Sequence, residues 1–249
     1  MKKWIAMLLA ALLCLSLAAC GQSEAPAETP AEAPAETPAE SPAETPEAPA
    51  EGLTEVTVTI SSEGELAVCA QTIAVTDADG DGALTITDAL AAAHVAFYPE
   101  GADGYATEMT DYGLSMQKLW GVENGGSYGY YVNNASAFNM TDPIADGDYV
   151  AAYSYADLEG WSDTYTWFDD LVVVPGEVTL TLSAAAFDES WNPVTLPVGT
   201  ARILINGEAT DFYTDDHGDV TLTVAAGDVI SAAVDGMVIV PPVCVVVGQ

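Results

Sequence analysis

Along residues 55–61, EVTVTIS, branched apolar residues alternate with polar ones, and Glu65–Val75 resumes the pattern after Ser62-Glu63-Gly64. A period of two broken by a glycine turn predicts a β-hairpin. The period then lengthens. Ile86, Leu90, Ala93 and Phe97 recur at steps of four, three and four, which predicts a helix over residues 86–98 with these four side chains on one face, stopped by Pro99. Residues 99–127 show neither period and read as irregular. Tyr128–Asn133 and Asp148–Tyr155 predict a second pair of strands. Hairpin, helix and strand pair, in that order, describe a β-grasp-like α+β unit.

From Gly176 onward the helical period is absent. VTLTLS (178–183) and VTLTV (220–224) alternate, ARILIN (201–206) runs into Asn206-Gly207, and Asp235-Gly236 marks another tight turn. Both dipeptides suit hairpin turns with positive φ. Short strands at even spacing predict an all-β sandwich of the immunoglobulin or prealbumin type. The expected organisation is a first domain over 53–174 and a second over 175–249, the second small enough to need packing against the first.

The first 52 residues follow different rules. MKKWIAMLLAALLCLSLAAC has two lysines, an apolar stretch and small residues before Cys20, the layout of a secretory leader over 1–19. Its ending, Leu17-Ala18-Ala19-Cys20, resembles the lipobox of bacterial lipoproteins. The resemblance implies a lipid on the Cys20 sulfur and attachment to the bacterial membrane on its extracellular face. Residues 20–52 are a low-complexity tract with proline at 26, 30, 34, 38, 42 and 46 and glutamate at the same four-residue step from 24 to 44. Proline at that density forbids helix, and like charges repel, so a disordered, extended stalk of roughly 90 Å is expected.

Charge narrows the partners. Once the leader is removed, Lys118 and Arg202 face 38 acidic residues, a formal charge of 2 − 38 = −36. Such a surface excludes nucleic acid, which needs clustered lysine and arginine, and excludes electrostatic adhesion to anionic lipid. Self-repulsion of this size favours a monomer and attracts cations. Beyond Cys14 in the leader and Cys20, only Cys69 and Cys244 remain. They are expected to serve as small buried hydrophobes, with a disulfide as the alternative.

The cation question centres on DADGDGALTITDAL, residues 77–90. Laid out as a twelve-residue calcium loop, it places Asp77, Asp79 and Asp81 at positions 1, 3 and 5, where a turn draws alternate carboxylates inward. Gly82 permits the bend, Ala83 offers a carbonyl, Thr85 can hold a bridging water and Asp88 closes the shell. Oxygen-only ligands suit Ca²⁺ ahead of Mg²⁺. The stretch resembles the dockerin type of EF-hand, though TIAV before it reads as a strand rather than a helix. The competing reading is a metal-free Asp-Gly turn with Thr87 or Asp88 as the helix N-cap. The metal's expected role is structural.

Downstream, Gly129-Tyr130-Tyr131-Val132-Asn133 and Gly147-Asp148-Tyr149-Val150 resemble the transcobalamin-C-terminal-like domain of bacterial surface lipoproteins. That resemblance implies a β-grasp-like core and a cell-surface location. In the vertebrate cobalamin carriers the related domain caps a vitamin held by a helical barrel, which this chain lacks. Tyr128, Tyr130, Tyr131, Trp161, Tyr165, Trp167 and Phe168 concentrate aromatic surface in this region. Exposed, they would stack on sugars or on a protein; buried, they would form core. Tyr128 and Tyr130 share one strand face and Tyr131 the other, so one set must point away from the core or toward the second domain.

His94 and His217 are the only histidines, and neither sits in a nucleophile or metalloprotease signature, so no enzyme is expected. The expected function is extracellular binding or adhesion to a glycan or protein ligand. The alternatives are a passive envelope spacer and capture of a small molecule of corrinoid type.

Overall fold

Val56, Val58 and Ile60 are almost fully buried and point to one side of the first strand, β1 (Thr54–Ser62). Thr59 and Ser61, which alternate with them, are buried as well, so this strand is covered on both faces. These residues belong to a computed structural model that describes residues 53–248. The leader, Cys20 and the Pro/Glu tract lie outside the described residues. The described chain is mostly β, with one α-helix and several mixed sheets.

β1 pairs antiparallel with β2 (Glu65–Val75) through a turn in which Glu63 and Gly64 both have positive φ. A connection through the acidic loop leads to α1 (Ile86–Phe97). Ile86, Ala89, Leu90, Ala93 and His94 form the buried stripe of that helix. Phe97, expected in the stripe, is 38% exposed. His94 fills the inner face instead, at four residues from Leu90.

Residues 99–127, expected to be irregular, contain a hairpin of β3 (Ala106–Thr110) and β4 (Gly113–Lys118). Its first strand is largely exposed, so it lacks the apolar alternation that marks a half-buried strand. Next come β5 (Tyr128–Val132), the two-residue β6 (Ala135–Ser136) and β7 (Tyr149–Ser154). The sheet order is β2-β1-β7-β5-β6, with β1 and β7 parallel at the centre. Val150 and Ala152 of β7 join the core beneath α1, while Ala151 and Tyr153 face the opposite way.

Strands before residue 175 pair with strands after it. β8 (Thr164–Phe168) pairs with β10 (Gly176–Phe187), and β9 (Val172–Val173) pairs with β17 (Cys244–Val246). One sheet runs β11 (Pro193–Pro197), β10, β8, β16 (Ile239–Val240), and β14 (Asp219–Val224) also pairs with β10. The other runs β13 (Glu208–Tyr213), β12 (Arg202–Ile205), β15 (Val229–Ala233), β17, β9. Leu180, Leu182 and Leu222 of the first sheet share a core with Ile203, Ile230 and Cys244 of the second.

Asn206 and Gly207 both adopt positive φ and join β12 to β13, as a two-residue hairpin turn requires. The turn at Asp235-Gly236 is also present, but it makes no hairpin: β15 and β16 lie in different sheets. Both described cysteines, Cys69 and Cys244, are free. Cys244 is fully buried, whereas Cys69 is only partly so, which corrects half of the expected burial.

Candidate functional site

The acidic loop leaves β2 at Val75 and enters α1 at Ile86, a strand-to-helix connection. Asp77 organises it. Its Oδ1 accepts from the Gly80 and Asp81 amides at 2.7 and 3.2 Å, and its Oδ2 accepts from the Gly82 amide at 2.9 Å. Gly80 and Gly82 take positive φ, which lets the chain curl around that carboxylate. Oxygens of Asp77, Asp79 and Asp81 lie within 4.8 Å of one another on an exposed rim. This cluster can hold a metal ion, and its all-oxygen chemistry fits a hard cation.

Electrostatics divide the trio. Amide donors, Gly82 first, hold the Asp77 carboxyl below its usual range. At Asp79 the largest single influence, the Asp81 amide, lowers the pKa. Desolvation and repulsion from Asp81 and Asp88 outweigh it, and the group is raised. A cation among the three would relieve that repulsion.

Thr85 and Asp88 occupy a different layer. Thr85 is the N-cap of α1, and Asp88, three residues later, accepts from the Thr85 amide at 3.0 Å and hydroxyl at 2.8 Å. The other Asp88 oxygen accepts from the Ala78 amide at 3.0 Å, tying the loop to the helix start. Both residues are buried. Ala83 donates its amide to Asp81 at 2.8 Å. The capping residue is therefore Thr85 rather than Thr87 or Asp88. The reason is tertiary: the first free helix amides, of Ile86 and Thr87, are met by the carbonyls of Asp142 and Met140.

His94 is a core residue. Its Nδ1 lies 2.6 Å from the Leu90 carbonyl and its Nε2 accepts the Trp120 amide at 3.0 Å. Tyr98, Tyr105 and Trp120 enclose the ring, and burial lowers its pKa. His217 is exposed in its turn.

The aromatic residues separate by face. Tyr128 and Tyr130 pack against the core beneath α1. Tyr131 points the other way, stacked on Tyr165 with ring centroids 3.7 Å apart and planes 10° from parallel. Tyr153, Tyr165 and Trp167 continue this seam between the first sheet and β8. Phe168 turns into the C-terminal core. Trp161 is 58% exposed.

A groove of about 520 Å³ opens beside the β3–β4 hairpin, walled by Tyr112, Leu114, Tyr128, Tyr130, Phe138 and Asn139. Tyr112 is 97% exposed and Phe138 88%. The floor is fixed: the Tyr128 hydroxyl lies 2.8 Å from the Gln117 and Val122 carbonyls, and the Tyr130 hydroxyl donates to Phe138. Asp142 pins the Phe138 and Asn139 amides at 2.9 and 3.1 Å. Sequence reasoning passed over Tyr112 and Phe138. The available signal was an aromatic inside turn-forming composition, Thr110-Asp111-Tyr112-Gly113, where a core role is implausible.

No protein-family model matches this sequence, and comparison with curated proteins and with solved structures finds no significant match.

Proposed function

We propose that this chain is a binding protein held by a lipid on Cys20 at the outer surface of a bacterial membrane, that its ligand is a glycan, and that Asp77, Asp79 and Asp81 hold a structural calcium ion. The leader and its Leu17-Ala18-Ala19-Cys20 ending support the anchor, and the Pro/Glu tract supports a stalk. A strand order of β2-β1-β7-β5, with a parallel central pair and one crossing helix, supports the β-grasp-like reading of the first half and its likeness to transcobalamin-C-terminal-like domains. Two sheets sharing one core support the immunoglobulin- or prealbumin-like reading of the second.

The carrying observation is the pair Tyr112 and Phe138, almost wholly exposed on a groove with a fixed tyrosine floor. Burying each ring would stabilise a folded chain by about 1.5–3 kcal/mol. A fold that leaves both in water on one groove has a use for them there. Flat apolar rings beside Asn139, Thr110 and Ser115 match a sugar, which offers C–H faces and hydroxyls together.

A glycan array probed with the protein in calcium tests this. Hits should weaken about 5- to 150-fold in Tyr112→Ala/Phe138→Ala, from about 1–3 kcal/mol of lost stacking. Silence across the array would favour the passive spacer instead, and hits indifferent to the double substitution would move the site elsewhere.

A further inference from the structure

A second surface lies at one end of the sheet β11-β10-β8-β16, and it goes beyond the glycan reading. Register brings four strand ends to one level. Phe187 pairs with Pro193 on β11, Ala184 with Thr166 on β8, and Thr164 with Ile239 on β16. The loop before β8, the β10–β11 tip and the turn before β16 therefore emerge side by side. They carry Leu158, Trp161, Phe187, Trp191, Met237 and Val238, all between 37% and 82% exposed.

These rings are deliberately held. Trp161 and Trp191 sit at φ of 53° and 62°, a region bulky residues rarely enter. An aspartate fixes each turn. Asp157 accepts from the Gly160 amide at 2.8 Å and the Ser162 hydroxyl at 2.6 Å. Asp188 accepts from the Ser190 and Asn192 amides at 2.8 and 2.9 Å. Hydrogen bonds, from the Ser162 hydroxyl first at Asp157 and from the Asn192 side-chain amide first at Asp188, keep both carboxyls below their usual range. Ring contacts extend the display inward, from Trp161 to Tyr155 at 5.8 Å and on to Tyr153 at 5.2 Å. Trp191 rests against Phe187 at 6.2 Å.

The surroundings have one sign. Glu159, Asp163, Asp188, Glu189 and Asp235 stand among these residues. The described basic side chains are elsewhere, Lys118 on β4 paired with Glu123 and Arg202 on β12 near Asp211. Tryptophan faces attract cations through the ring quadrupole, and carboxylates around them add attraction and repel anionic surfaces. We propose that this sheet end docks a polypeptide segment rich in arginine, with guanidinium groups on the Trp161 and Trp191 rings and the rim carboxylates as counter-charges.

The test titrates an octa-arginine peptide into the full chain, followed by tryptophan fluorescence and calorimetry, at low salt and at about 1 M salt, where the Debye length is about 3 Å. At high salt the diffuse attraction of the whole acidic surface is screened, and saturable binding that persists reports the docking site. Trp161→Ala/Trp191→Ala should then weaken binding at least about tenfold. Glu159→Gln/Glu189→Gln/Asp235→Asn, which keeps the rings, should weaken it at least about threefold. Thermal melts confirm that each variant is folded. Tyr112→Ala/Phe138→Ala should bind the peptide as the wild type does, which separates this result from the fate of the glycan reading. The proposal is overturned if the peptide fails to bind, if binding vanishes at high salt, if the tryptophan variant binds equally well, or if an octa-glutamine peptide or anionic vesicles bind as tightly.

Discussion

Acid should destabilise the first half of this protein through one residue, His94. Its side chain is fully buried, with Nδ1 at 2.6 Å from the Leu90 carbonyl and Nε2 accepting the Trp120 amide. The first contact makes Nδ1 the protonated nitrogen, and the second occupies the lone pair that a further proton would need. Protonation would set an N–H against the Trp120 N–H and leave a cation among Tyr98, Tyr105 and Trp120. Burial accordingly lowers the pKa. The sign follows from linkage. The unfolded chain takes up this proton near pH 6.5 and the folded chain resists it, so stability is present above that pH and falls as pH drops below it. One proton costs at most about 1.4 kcal/mol between pH 7.5 and 5.5, the limit reached when the folded ring stays neutral. That window lies above ordinary carboxylate titration. The assay is urea unfolding at pH 7.5, 6.5 and 5.5 for the wild type and for His94→Phe. The variant should start about 1–3 kcal/mol lower, because the Trp120 amide loses its acceptor, and should show the shallower pH dependence. Equal slopes for the two proteins, or a His94 resonance titrating at or above 6.5 in the folded state, would refute the reasoning.

Other expectations follow from the loop and the seam. Calcium at millimolar concentration should raise the thermal midpoint by several degrees, equivalent to about 0.5–2 kcal/mol, and Asp77→Ala/Asp79→Ala should abolish the response; melts in calcium and chelator check this. Asp88→Ala removes acceptors for the Ala78 and Thr85 amides and the Thr85 hydroxyl at a buried helix start. It should cost about 2–4 kcal/mol in urea unfolding, with or without calcium. Gly129→Ala would drive its Cβ into the Tyr153 ring, which lies over that glycine. A loss of about 1–3 kcal/mol is expected, together with altered near-UV circular dichroism from the tyrosine seam.

The elements that were legible in the sequence are those whose signal is local. Val56, Val58 and Ile60 alternate because β1 has a buried face, and Asn206-Gly207 names its own turn because both positions need positive φ. The spacing of Asp77, Asp79 and Asp81 around Gly82 is equally local, and those three carboxylates do converge. Where a partner distant in sequence decides, the pattern gave no warning. The helix cap falls at Thr85 because carbonyls some fifty residues away receive the next amides. Asp235-Gly236 turns the chain without making a hairpin because the strand beyond it is taken up by β8.

The aromatic residues mark this division most clearly. Composition announced an unusual concentration from Tyr128 to Phe168, and strand alternation required Tyr131 to oppose Tyr128 and Tyr130. Which face met core, which met the second half and which met water depended on sheet order and register. Tyr131 found Tyr165 only because β7 runs parallel to β1 and β8 joins the C-terminal sheet. Trp161 and Trp191 share one sheet end only because β8 and β10 pair with opposite directions. A sequence fixes the chemistry and local period of each segment, since these depend on neighbours along the chain. The assembly of distant segments into one surface depends on burial and pairing that exist only once the chain has folded.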